Sequence, residues 1–338
     1  MSQLNRASVL SDNVPLRQPP GEKDVVVVEE VAERRTHDDH GRKILTEEDA
    51  YERLGFRFST RKKWLILTCI FLVQISMNFN AAIYASAVPG MTGHFAIEGK
   101  TARLGQMVFL VAYAFGCELW APWSEELGRK WVLQGSLFLV NLWQIPCALA
   151  PNFWTVSGFR LLGGLSSAGG SVTLGMVADM WEPAYQQYAV AYVVLSSCAG
   201  SVVAPIAGGF ITEYLDWPWV FWISLIFGAV VQAIHLFVPE TRADILLDKE
   251  AKRRRAIGEH VCGPNEAKGN FWQRVSFRES VSLMWRPYKF LLKEPIVTCL
   301  SLLSGFSDAL IFTGLDSFGP VLDKWDFSVV QKGLAFIP

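Results

Sequence analysis

The chain has 338 residues, of which 51% are hydrophobic and 19% charged, and its formal net charge is -1. A near-neutral balance argues against a general nucleic-acid binder, and the apolar excess fits burial in lipid better than a soluble core. The apolar residues are not evenly spread, because residues 1–63 are polar and charge-mixed whereas 64–238 form a nearly continuous series of apolar blocks.

Taken in chain order, residues 1–63 show no sustained helical or strand period, and the run Val25 to Val28 is too short to span. A disordered cytoplasmic tail is expected there. It is not a signal peptide, since an apolar h-region is absent and the first real span is too long and too far into the chain.

A bilayer core about 30 Å thick needs about 20 apolar helical residues. Trp64 to Pro89 and Trp131 to Ala150 carry no charge, and neither does Tyr188 to Thr212. Leu104 to Pro122 contains only Glu118, Phe153 to Ala178 only Arg160, and Val220 to Val238 only His235. These segments predict a six-helix bundle over residues 64–238. Ile296 to Val321 predicts a seventh span, with Asp308 near its middle and Asp316 near its end, and Gly333 to Pro338 reads as the start of an eighth. The expected domains are thus a tail (1–63), the bundle (64–238), a charged linker (239–295) and the beginning of a second bundle (296–338). The chain stops where no complete membrane domain is expected to stop.

Basic loops stay on the cytoplasmic side. Arg57, Arg61, Lys62 and Lys63 precede the first span, Arg129 and Lys130 lie between the second and third, and Arg253 to Arg255 follow the sixth. All fall on one side if the amino terminus is cytoplasmic, which puts Cys262 inside and the Leu215 to Pro218 turn outside. The opposite side holds Lys100 and Arg103, and the inner loop Asp179 to Gln187 has no basic residue, so the rule holds on balance. The cluster Lys252 to Arg255 reads as a solvated topogenic run, with anionic-lipid binding as the alternative. Cys69, Cys117, Cys147, Cys198, Cys262 and Cys299 show neither disulfide nor metal-site spacing.

Three intramembrane charges are candidates for chemistry. Arg160 lies about two turns into the fourth span, where a charge costs about 2.5–3.5 kcal/mol on insertion scales. It either snorkels to the headgroups or faces a cavity, and the surrounding Gly158, Gly163, Gly164, Gly169 and Gly170 favour a closely packed helix and the second choice. Asp308, near mid-bilayer, suits proton carriage or cation binding, or is a protonated carboxyl bonded within the bundle. Glu118, near the inner interface beside Trp120 and Trp123, either reaches interfacial water or takes part in gating. Gln74, Asn78, Asn80, Asn141, Gln144 and Gln232 add uncharged hydrogen-bonding groups.

The stretch Ala121-Pro-Trp-Ser-Glu-Glu-Leu-Gly-Arg-Lys130 resembles the loop signature of the major facilitator superfamily. Glu125 stands at its acidic position and Gly128, Arg129 and Lys130 match, whereas Ala121 and Glu126 depart from it. Arg160-Leu-Leu-Gly-Gly164 resembles the fourth-helix motif whose arginine is associated with proton coupling. Gly200-Ser-Val-Val-Ala-Pro-Ile-Ala-Gly-Gly209 resembles the fifth-helix antiporter motif. Its glycines allow close helix approach, and Pro205 removes a backbone donor. Asp216 to Ile223 and Val238-Pro-Glu-Thr-Arg242 are similar to segments around the sixth helix of fungal drug and polyamine exporters, with Pro218 where arginine is expected.

The resemblance implies twelve helices in two halves, with the substrate at mid-membrane between them. It further implies proton-coupled efflux of amphiphilic or cationic small molecules, such as drugs and polyamines, across the plasma or vacuolar membrane. Arg160, Asp308 and Glu118 are assigned to coupling, Glu125, Gly128, Arg129 and Lys130 to the loop, and Gly200, Pro205, Gly208 and Gly209 to conformational exchange. The expected partners are the lipid bilayer, a small-molecule substrate and protons. A uniporter or importer of the same fold is one alternative. Another is a transport-incompetent, truncated membrane protein acting only as an interaction partner, with a missing C-terminal half or a second copy as the further candidate partner. No nucleotide loop, metal-ligand cluster or nucleophile-and-base set is found, so neither enzyme activity nor a cofactor is expected.

Overall fold

The computed structural model describes residues 37–38, 41–267, 277–325 and 327–335. Residues 1–36, with the Val25 to Val28 run, and 336–338 at the start of the expected eighth span lie outside the described residues, as does the side chain of Asp316. The first span is built from α1 (Thr60–Ala82) and α2 (Tyr84–Phe95), and the second and third are α3 (Gly99–Glu126) and α4 (Arg129–Ala148). The fourth is split into α5 (Phe153–Ser166) and α6 (Gly169–Met180), and the fifth and sixth are α7 (Pro183–Tyr214) and α8 (Trp219–His235). Beyond the linker, α11 (Phe277–Lys293) leads into α12 (Pro295–Leu322), and the short helix α13 (Val329–Leu334) reaches the position where an eighth span is expected to start. The linker itself holds α9 (Ala243–Ala256), α10 (Pro264–Ala267) and the short strand β2 (Val261–Cys262), which pairs with β1 (Lys43–Ile44).

Helix boundaries follow from local chemistry. Asn152 accepts the amide of Thr155 at 2.9 Å and so caps α5, and Pro183 occupies the first turn of α7, where its lacking N–H costs nothing. Among the described residues, Thr60–Phe95, Gly99–Glu126, Phe153–Met180, Pro183–Tyr214 and Pro295–Gly314 are long and apolar enough to cross a bilayer. The apolar helix α8 is shorter, at 17 residues, and α4 is diluted by the buried Gln134, Asn141 and Gln144.

The bundle has two apolar cores with a polar layer between them. On one side Ile83, Tyr84, Met91, Phe153, Val156 and Phe221 pack together. On the other, Ile70, Val73, Leu133, Leu137, Val172 and Met176 do so. The buried polar residues around Arg160 fall between the two sets: Asn80 between Met77 and Ala82, Asn141 and Gln144 between Leu137 and Cys147, and Arg160 itself between Val156 and Ala168. Outward-facing Val111, Phe115, Phe138, Leu142 and Phe237 are exposed, as a surface solvated by lipid tails requires.

The fourth span was expected to be one helix, but its backbone leaves the helix at Ser167 and Ala168. Groups that it frees are engaged by other helices. The Ser136 hydroxyl donates to the Ser166 carbonyl at 2.7 Å and accepts the Ala168 amide at 2.8 Å, while Trp120 Nε1 donates to the Leu165 carbonyl at 3.0 Å. Irregular backbone at this depth is tolerated only with such internal partners.

Residues 41–58 correct the expectation of an unstructured tail. Leu45, Ala50 and Leu54 form a small core with Leu247, Ala251 and Val261 of the linker. Parallel pairing matches Lys43 with Val261 and Ile44 with Cys262. Asp49 fixes the turn that follows, accepting from Lys43 Nζ at 2.6 Å and from the Thr46 amide and hydroxyl at 3.1 and 2.9 Å. The Lys43 hydrogen bond, then the Thr46 amide, hold the Asp49 carboxyl down at about 2, so the clip stays charged at physiological pH. Each half of this core is too small to fold alone, which is why the tail's composition reads as disorder.

Cys262 is fully buried in this tail–linker core, so its thiol reports on the core's opening. Leu54→Asp places a charge at a site only 1% exposed. Maleimide labelling of Cys262 in the detergent-solubilised protein should accelerate at least about tenfold in that variant, as a buried unpaired charge shifts the opening equilibrium by more than a kcal/mol. An unchanged rate would mean that the tail does not pack on the linker.

Candidate substrate and coupling site

Arg160 is the largest side chain sealed inside the bundle, at 2% exposure. It neither snorkels outward nor meets a carboxylate among the described residues. Its Nη1 donates to the backbone carbonyl and to Oδ1 of Asn80, at 3.2 and 3.0 Å. Gln144 Nε2 donates to the same Oδ1 at 2.9 Å, so one amide oxygen ties α1, α4 and α5 together. The guanidinium lies between two rings, 4.7 Å from the Tyr84 centroid and 4.0 Å from that of Phe109. Tyr84 is held in turn by its hydroxyl, which donates to the Ala102 carbonyl at 2.8 Å. Such faces stabilise a desolvated cation by about 2 kcal/mol or more. Among the described residues, Arg160 Nε and Nη2, together with Asn80 Nδ2 and Ser157 Oγ, find no protein partner, leaving a buried cation with donors to spare.

The helices can approach this closely because small residues line the contacts. A Cβ on Gly116 would lie 2.6 Å from the Gly164 carbonyl, which brings α3 against α5. On α7 the proposed exchange motif divides its work. Gly200 sits against Ile75 and Asn78 of α1, with a Cβ position 2.8 Å from the Ile75 carbonyl, and Gly208 sits against Ser86 of α2. Pro205 and Gly209 face the other way, since a Cβ on Gly333 of α13 would lie 2.9 Å from the Pro205 carbonyl and 3.4 Å from Gly209 Cα. The fifth span therefore packs the first span on one side and α13 on the other.

A second cluster closes the end of the bundle next to the linker. Gly128 precedes α4 with φ +96°, and a Cβ there would come within 2.5 Å of a Glu240 carboxylate oxygen, so backbone and space both demand glycine. Having no side chain, Gly128 cannot cap α4, and Glu240 does so from a distance. Its Oε1 accepts the amides of Arg129 (3.0 Å), Thr241 (2.9 Å) and Arg242 (3.1 Å), and its Oε2 that of Lys130 (3.2 Å). Arg129 Nε pairs with Asp179 at 3.1 Å, Arg242 approaches the same carboxylate at 3.8 Å, and Lys130 Nζ donates to the Leu236 carbonyl at 2.8 Å.

The other proposed residues stand apart. Glu125, the loop motif's acid, is exposed. Glu118 is half-buried on α3, where the neighbouring Phe115 ring stacks on Tyr288 of α11 at 6.4 Å. Asp308 lies halfway along α12 with its side chain exposed, and no bond joins it to Arg160. Asp179 and Glu240 were not expected as loop partners. Their signals were present, in the lone acid ending the fourth span and in the acid of Val238-Pro-Glu-Thr-Arg242.

Glu240→Ala should lower the bundle's stability by roughly 2 kcal/mol, because it strips an ionised acceptor from several amides. Gly128→Ala should cost a similar amount through strain and the clash with that carboxylate. The double variant should be less destabilised than the sum by about 1 kcal/mol, as removing Glu240 makes room for the Cβ. Thermal unfolding in detergent measures all three, and strict additivity would separate the glycine from the acid.

Residues 70–337 match the model of the Major Facilitator Superfamily. The chain is 32% identical over 278 residues to the MFS-type transporter traF of Penicillium crustosum, covering 80% of this chain and 55% of that protein. It is 31% identical to the uncharacterized transporter C530.02 of Schizosaccharomyces pombe, covering 82% and 51%. It thus spans about half the length of the curated relatives it matches. In fold it is similar to the partially occluded inward-open xylose transporter XylE of E. coli, with a TM-score of 0.56 at 15% identity over 81% of this chain and 70% of that one. The chain therefore belongs to the Major Facilitator Superfamily, as a multi-pass membrane protein whose family moves small molecules across bilayers and does not transform them.

Proposed function

We propose that the protein is a proton-coupled exporter of small amphiphilic or cationic compounds, with Arg160 as the coupling residue. The observation that carries this proposal is the sealed guanidinium with two nitrogens unengaged between Tyr84 and Phe109. A fixed cation with free donors, at the depth where this fold binds substrate, favours the ionised form of any carboxyl brought to it. Approach and withdrawal of such a carboxyl would release and take up a proton. Asp308, halfway along α12, is the acid proposed for that exchange, and Glu118 is a gating group at the end of α3. The packing of α7 between the first span and α13 supports a role for Gly200, Pro205, Gly208 and Gly209 in the movement of the two halves. Export, coupling and the nature of the substrate belong to this proposal and to the whole transporter.

In cells lacking their own exporters, Arg160→Ala should reduce efflux of labelled polyamines and cationic drugs to the empty-vector level, with membrane insertion retained. Arg160→Lys should restore only part of it, because lysine keeps the charge but loses the planar fork. Normal gradient-driven efflux by the alanine variant would remove Arg160 from coupling.

The amino terminus is proposed to be cytoplasmic. Because Cys262 is buried, it cannot report this by surface labelling, and the exposed Glu259 and Lys100 serve instead. In a cysteine-free background, Lys100→Cys should react with an impermeant maleimide in intact cells and Glu259→Cys only after the membrane is opened. The reverse pattern would invert the topology.

A further inference from the structure

At the edge of the bundle next to the linker, a cavity is lined by Lys62 of α1, Lys130 at the start of α4 and Lys249 of α9, with Phe58, Trp131 and the aliphatic Ile245 and Leu246. We propose that this cavity binds the headgroup of an anionic phospholipid. Four observations converge on that ligand. Three cations come from three separate elements to one concavity, a convergence that neither helix capping nor the Arg129–Asp179 pair requires. The one acid in the lining is Glu240, and its oxygens already accept four backbone amides, so it leaves the site cationic. Lys62 and Lys249 are exposed at the mouth. The lysines also sit beside a lipid-facing skirt: Trp131 is 65% exposed and Leu65 68%, on the ends of α4 and α1 that line the cavity, and Phe237, just beyond α8, is 87% exposed. An amphipathic ligand with a phosphate head and acyl tails meets both surfaces at once, while a soluble anion would use only the first. Tryptophan at that border and lysines beyond it are the usual partners of headgroups.

The consequence for the protein is mechanical. The cavity is lined by the ends of α1 and α4 and by α9, so a phosphate held by Lys62, Lys130 and Lys249 would clamp the linker onto the bundle. Lys130 is already bonded to the Leu236 carbonyl, and it would act as the fixed member of the three.

The test is lipid retention by the 338-residue chain, purified in detergent and observed by native mass spectrometry after equilibration with phosphatidylserine, phosphatidylinositol or phosphatidylcholine. One anionic lipid should stay bound at concentrations where phosphatidylcholine does not. Lys62→Gln with Lys249→Gln, which spares the Lys130 bond, should weaken retention at least about tenfold, on the scale of two lost surface cations. The paired control Lys100→Gln with Arg103→Gln, at the other end of the bundle, should leave it unchanged. Equal retention of all three lipids, or equal loss in both paired variants, would overturn the site. Displacement of the lipid by millimolar inorganic phosphate would show a free-anion site instead and would overturn the assignment to lipid. Thermal unfolding of the two paired variants, expected to match the unmodified chain, separates loss of binding from loss of fold.

Discussion

A permanently charged guanidinium inside a lipid-solvated bundle is the constraint on which the rest of this structure turns. Arginine does not neutralise itself in proteins, so its burial has to be offset by oriented dipoles and polarisable faces. Here those are supplied by Asn80 on the first span and by two aromatic rings on the first and second. Every one of these contacts requires the helices to meet at close range, and glycines at positions 116 and 164 make that possible. The polar layer and the small-residue stripes are thus two parts of one arrangement, with the apolar cores on either side keeping water and lipid away from it.

The same reasoning accounts for the charged cluster at the linker end. Gly128 gives the chain a turn that no other residue makes without strain, and the missing side chain leaves the first amides of α4 without a cap. Glu240, more than a hundred residues later, fills the vacancy, and Asp179 anchors the Arg129 side chain beside it. Three spans are then fixed at one end by groups that must separate if the bundle ends move apart. A latch of this kind is strong when assembled and cheap to open in contact with water, which is what the proposed exchange of conformations would ask of it.

The spans were legible because twenty apolar residues have few other fates, and charge-free runs such as Trp64 to Pro89 mark them without ambiguity. The burial of Arg160 was legible from the apolar residues and glycines around it in the chain. Its partners were not, since an asparagine and two aromatics in apolar helices look like ordinary packing residues. The break at Ser167 and Ala168 was hidden because the residues that repair it, Ser136 and Trp120, lie on other helices. The fold of residues 41–58 was hidden for the same reason: its apolar positions are few, and half of the core they join comes from the linker. Long-range capping by Glu240 leaves no local signature at all beyond the glycine that makes it necessary.

The central claim is that a proton moves in exchange for substrate at the Arg160 site. Its most direct measurement is proton flux in vesicles reconstituted with the transporter and loaded with a pH-sensitive dye, to which a cationic substrate is added with no gradient imposed. The account predicts that substrate entry alkalinises the lumen, because protons leave in exchange for it, in fixed stoichiometry. Substrate movement of equal rate with no accompanying change in luminal pH would contradict it.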